Sequence, residues 1–217
     1  MTAPRPDGLD GHCDTLVLGI GNLLWADEGF GVRAVEALHA GWRFPAGVRL
    51  LDGGTQGLYL LPDVEGCRRL LIFDAVDYGL EPGTLKVVRD GEVPAFMGVK
   101  KMSLHQTGFQ EVLSLARLRG WNPRSVALIG CQPALLDDYG GSLSGTVKSC
   151  LPDALSLALA TLRSWRIDAE RRAALPTPAE RITLDRLDMA SYEGERPSAT
   201  AACRVGDARF FGAHAST

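Results

Sequence analysis

The spacing of apolar positions changes at Gly21. Leu16 to Ile20 is an unbroken apolar run, which predicts a buried strand, and Gly21-Asn22 ends it in a loop. From Gly31 onward Val32, Val35 and Leu38 recur about every third residue, with Arg33 and Glu36 between them, which predicts a helix to about Ala40. Three further runs, Val48–Leu51, Leu70–Phe73 and Val126–Ile129, read as buried strands, and Thr84–Arg89 alternates as an edge strand should. Between them lie helical spacings: a short one through Leu58, Leu61 and Val64, and a longer one through Phe109, Val112, Leu113 and Ala116 that ends at Gly120. A long one follows with Leu151, Leu155, Ala158, Leu162 and Trp165 on one face; Pro152 is expected in its first turn, or to kink it there. Strands alternating with helices predict a three-layer α/β fold, a mostly parallel sheet flanked by helices.

Beyond Trp165 the pattern fades into Arg, Glu, Pro and Thr with scattered apolar residues. The expected organisation is a flexible lead-in over 1–13, one α/β domain over 14–165, and an irregular extension over 166–217, partly docked and mobile near its end. Composition adds exclusions. With a formal charge of -3 and no Lys/Arg-rich run, nothing favours nucleic acid or an anionic membrane as partner. The first residues lack the apolar segment of a signal peptide, and the longest apolar stretch, Ala154–Leu162, is too short to span a bilayer. Five scattered cysteines without a Cys-x-x-Cys pair argue for reduced, mostly buried thiols in a cytoplasmic protein.

Several familiar chemistries are missing from the text. Gly140 to Gly145 only approaches the serine-hydrolase elbow, His105 is followed by Gln106 rather than the Glu of a zinc-protease helix, and Leu24 stands where a dinucleotide fingerprint needs its third glycine. What remains is a set of polar residues at strand ends. Asp27-Glu28 follows the first strand, Asp74 ends the run Leu70–Phe73, and His105 occupies a loop just before a helix. In a parallel sheet these loops share one edge, and two carboxylates with an imidazole suit a divalent ion with open positions, such as zinc, nickel or iron. Each has a plainer reading: Asp27 as a helix cap with Glu28 complementing the helix end, Asp74 bonded to a neighbouring turn, His105 as a cap. Asp52-Gly53-Gly54-Thr55 ends the second strand on the same edge. Its glycines would let a peptide backbone approach and offer N–H donors, or simply make a tight turn.

Taken together, GIGNLLWADEGFGVR, LDGGTQGLYLL, LLIFDAVDYGLEPGTL, KKMSLHQTGFQEVLSLA and LIGCQPALLDDYGGSLS, with LDMASYEGER more loosely, resemble the maturation endopeptidases of nickel-iron hydrogenases, and most of all the branch serving membrane-bound uptake hydrogenases. The resemblance implies a twisted, mostly parallel sheet between helices. It also implies one proteolytic cut in the cytoplasm, removing the C-terminal extension of the hydrogenase large-subunit precursor after nickel insertion. Glu28, Asp74 and His105 fall where that family contacts the nickel carried by its substrate, a place that another divalent ion such as zinc could take in vitro. Asp52 would orient the water or the peptide, and Gly53, Gly54 and Thr55 would bind substrate. A nickel-sensing checkpoint protein without proteolysis would keep the same three ligands and is the alternative.

Overall fold

Continuous apolar runs belong in strands covered on both faces, and the sheet is built on them. The protein is described by a computed structural model over residues 13–93, 104–184 and 187–196, with residues 104–107 described by their backbone alone. In chain order the elements are β1 (Cys13–Ile20), α1 (Phe30–Gly41), β2 (Trp42–Arg43), β3 (Val48–Gly54), α2 (Leu61–Glu65), β4 (Cys67–Ala75), β5 (Leu85–Arg89), α3 (Leu104–Leu118), β6 (Ser125–Cys131), α4 (Gly145–Ser164), β7 (Glu170–Arg171) and α5 (Met189–Gly194). The main sheet runs β3-β1-β4-β6-β5; the first four strands are parallel and β5 is antiparallel at the edge, where its alternation had placed it.

The helices cover both faces. Phe30 and Val35 of α1 pack with Val147 and Leu155 of α4 on one side, and Val64 of α2 packs with Phe109 and Val112 of α3 on the other. Strand β4 feeds both cores: Leu71 and Phe73 join the first, Leu70 and Ile72 the second. Helix α1 lies unusually close to the sheet. A Cβ on Gly31 would collide with the carbonyl oxygens of Ile20 and Phe73, and one on Gly19 with the carbonyl oxygen of Gly31. These glycines therefore serve helix-on-strand contact, one of the roles glycine takes where backbones meet.

Two expectations need correction. Helix α3 begins at Leu104, so His105 stands in its first turn and not in a loop before it. Helix α4 begins at Gly145, with the Ser144 side chain accepting from the Val147 N–H as N-cap, so Pro152 lies in the helix interior. The extension makes several contacts with the α/β domain. β7 pairs antiparallel with β2, the Arg172 Nε donates to the carbonyls of His39 and Trp42 at 2.9 and 3.2 Å, and Asp188 caps α5. The expectations for the lead-in, for the loop through Met97 and Lys101, and for mobility near the end fall on residues outside those described.

Candidate active site

The chain leaving β1 enters α1 on one face of the sheet, while the chain leaving the neighbouring β4 returns through α3 on the other. The two loops part at the C-terminal edge, and the crevice at such a switch point is where open α/β sheets bind ligands. Glu28 and Asp74 occupy these two strand ends. Glu28 lies half-buried in a 3₁₀ turn, Ala26–Gly29; its N–H donates to the Trp25 carbonyl at 3.0 Å, and its own carbonyl accepts from the Asn22 N–H at 3.2 Å. Asp74 is fully buried, and strand alternation puts it on the face of Leu70 and Ile72, the face covered by α2 and α3. Nearby, burial first and then the Asp74 charge push the Tyr78 phenol well above its ordinary range.

His105 stands in the first turn of the helix that covers this same face. One turn on, a Cβ built at Gly108 would sit 3.6 Å from the Gly57 Cα, so the start of α3 abuts the turn that follows β3. The backbone thus brings the loop of Glu28, the strand end of Asp74 and the first turn of α3 to one edge. The His105 imidazole lies outside the described residues, among which no three His, Cys, Asp or Glu side chains gather as a metal would require.

Asp52 closes β3 beside this edge. Its Oδ1 accepts the Gly54 N–H at 2.9 Å, and the Gly54 carbonyl accepts the Gly21 N–H at 3.0 Å. The glycines here bring strands together: a Cβ on Gly53 would press on Leu18 and the Gly19 carbonyl, and Gly54 has φ +45. Burial and then the Glu36 carboxylate push the Asp52 carboxyl above the usual aspartate range, against the Gly54 N–H and the Arg33 guanidinium. Because the folded value is the higher one, this group's contribution to stability is fully present below the unfolded pKa of about 3.9 and is lost as pH rises through the folded value. Asp52→Asn keeps an acceptor for Gly54 and should raise the melting temperature at pH 7 while changing it little near pH 3. An equal shift at both pH values in thermal melts would contradict this account.

Two further residues shape the edge: Asp27, expected at most as a helix cap, and Gln132, which the sequence context did not announce. Asp27 is fully buried and clamps the loop after β6: its Oδ2 accepts the N–H groups of Ala134 and Leu135 at 2.8 Å and the Ser144 hydroxyl at 2.9 Å, and its Oδ1 accepts the Ser144 N–H at 2.7 Å. It caps no helix of its own turn. Gln132 holds the loop after β4, its Oε1 accepting from the Tyr78 and Leu80 N–H groups and its Nε2 donating to Asp77. Arg33 falls between the apolar positions of α1, yet it is only 3% exposed. It is bonded to Glu36 and to the Leu187 carbonyl, under the Tyr192 ring.

Residues 32–161 match the family model described as hydrogenase maturation protease. A hydrogenase expression/formation protein, HoxM of Cupriavidus necator, is 56% identical over 90% of this chain and 96% of its own length. The hydrogenase 2 maturation protease of Escherichia coli is 43% identical over 74% of this chain and 97% of its own. Among solved structures, the hydrogenase maturating endopeptidase HybD from Escherichia coli superposes with a TM-score of 0.69 at 41% identity, over 73% of this chain and 98% of that one.

Proposed function

The chain belongs to the hydrogenase maturation protease family, and on that footing we propose that Glu28, Asp74 and His105 bind the nickel carried by its substrate and so license a single cut. The chain is an endopeptidase whose function is C-terminal processing of a hydrogenase large subunit. The observation that carries the three-ligand reading is that Glu28 lies in the loop after β1 and Asp74 at the end of the adjacent β4, at the switch point, with Asp74 on the face covered by the helix whose first turn holds His105. Two carboxylates and an imidazole can join the coordination sphere of a borderline ion that already has soft ligands. Nickel is then part of the substrate, and the enzyme's groups complete its shell only when loading has occurred.

Hydrolysis also needs a group that takes a proton from the attacking water. Asp52, with its carboxyl raised by burial and by Glu36, is suited to that task or to orienting the peptide, with Gly53, Gly54 and Thr55 forming the wall along which the substrate lies. The partner is the large-subunit precursor. No helix among the described residues is long and apolar enough to cross a membrane, and the cut is read as cytoplasmic.

Incubation with nickel-loaded and nickel-free precursor, followed by mass spectrometry, tests the reading. The loaded precursor should lose its C-terminal segment at one bond and the nickel-free form should stay whole. Equal cutting of both would remove the nickel check. Binding of the loaded form with no mass loss would favour a nickel-sensing protein that does not cut.

A further inference from the structure

We propose that Trp25 and Tyr139 form an aromatic clamp that seats an apolar side chain of the precursor's C-terminal extension, and that this chain's own C-terminal segment sets the clamp by bracing the Tyr139 loop. The inference rests on the endopeptidase reading above and concerns how the substrate peptide is held.

The pair is large, apolar and open to solvent. Trp25 is 37% exposed and Tyr139 57%, with Leu24 and Leu135 also exposed on the same two loops. The two rings meet edge to face, centroids 5.2 Å apart at 63°, an arrangement favoured by their quadrupoles. Backbone bridges join Trp25 to Tyr139 and Gly141, and the Gly140 N–H donates to the Leu24 carbonyl at 2.7 Å. Such a cluster is more than scattered surface residues, and Trp and Tyr are the side chains that most often anchor a partner. Its position names the occupant. The Trp25 carbonyl accepts the Glu28 N–H, so the clamp shares a turn with a proposed ligand. It joins the loop after β1 to the loop after β6, and β4, which bears Asp74, lies between those strands. A peptide cut beside Glu28 and Asp74 passes this edge, and the clamp is assigned to the segment being removed, whose side chains would lie beside the turn of Glu28.

The clamp is fixed before anything binds. Asp27 holds its loop at Ala134, Leu135 and Ser144, and the C-terminal segment holds the far side. Arg196 donates to both Asp138 carboxylate oxygens at 2.8 and 2.9 Å, and Glu193 accepts from the Ser142 hydroxyl at 2.7 Å and from Lys148. Those bonds flank Tyr139 on either side. Both bracing residues lie beyond the stretch of 32–161 matched by the family model. Rigidity of this kind lowers the ordering cost of binding.

Steady-state cleavage of nickel-loaded precursor by the full chain is the test, with a melting curve for every variant. Trp25→Ala and Tyr139→Ala should each raise KM about tenfold while kcat stays within about twofold, and Tyr139→Phe should recover most of the affinity lost in Tyr139→Ala. Arg196→Ala should raise KM by a smaller factor, and should add little in the Trp25→Ala background, because it acts through the same pair. Unchanged KM in both alanine variants overturns the clamp. If Trp25→Ala melts, the more exposed Tyr139 decides. A titration read by tryptophan emission separates this inference from the cleavage reading. The emission should shift with precursor and with the extension as a synthetic peptide, and much less with processed subunit or with Trp25→Phe. A shift of equal size with processed subunit would overturn the choice of occupant. So would self-association of the chain that Tyr139→Ala abolishes.

Discussion

Asp74→Asn should leave the fold standing and reduce cutting of nickel-loaded precursor at least about a hundredfold, since even indirect partners of a metal are worth factors of ten to a hundred. Asp74 is fully buried at the end of β4. The amide keeps the shape of the side chain, so packing against Leu70, Ile72 and the α3 layer is retained, while the charge that a cation would meet is gone. Glu28→Gln should behave alike from the opposite wall of the crevice. His105→Ala removes a neutral donor from the first turn of α3 and keeps both carboxylates. It should therefore lose binding of loaded precursor while its melting temperature holds. Cleavage rates, a pull-down with loaded precursor and a melt on each variant make the comparison. Wild-type cutting by both Asp74→Asn and His105→Ala would end the three-ligand reading and shift attention to Asp52. Unfolding of His105→Ala would mark that histidine as structural.

The layered sheet was legible because its central strands are continuous apolar runs. Leu16–Ile20, Leu70–Phe73 and Val126–Ile129 all lie within β1, β4 and β6, buried throughout. The ends of those strands follow directly, which is why Glu28 and Asp74 could be picked out as residues on one edge. Features that depend on distant partners were hidden. Asp27 looks like any acidic residue before a helix, but its partners lie 107 to 117 residues away in a loop with no pattern of its own. Arg33 reads as solvated until Leu187 and Tyr192 cover it. Helix starts were misjudged where apolar spacing is thin: His105-Gln106-Thr107-Gly108 carries no apolar face, and Thr146-Val147-Lys148-Ser149 offers a single one. The extension packs a few apolar residues, Ile167, Ile182 and Met189, against the core and adds hydrogen bonds and ion pairs through Arg172, Glu193 and Arg196, pairings that composition does not reveal.

Replacing Asp27 should have the largest effect on stability of any change at this edge. Four donors converge on one buried carboxylate. In Asp27→Asn the better orientation leaves the amide oxygen with Ala134, Leu135 and the Ser144 hydroxyl, and turns the NH₂ group against the Ser144 N–H. Two donors then face each other in a buried place, at a cost of about 2–3 kcal/mol. Asp27→Ala strands all of them and should cost more, about 3–5 kcal/mol. For a chain of this size, about 3 kcal/mol corresponds to a fall of roughly 6–12 °C in melting temperature. Hydrogen exchange locates the damage: the amides of Ala134, Leu135 and Ser144 should lose protection, while those in the middle of β1 and β4 follow only the global loss. The same loop carries Tyr139, so the affinity for precursor should weaken along with the protection, and Glu28, next in the chain, loses the anchor of its turn. A melting temperature within about 2 °C of wild type for Asp27→Ala, well inside the expected fall, would show that the loop after β6 is held by other means. In that case the rigidity of the aromatic pair would have to come from the Arg196 and Glu193 contacts and the backbone bridges of Leu24 and Trp25.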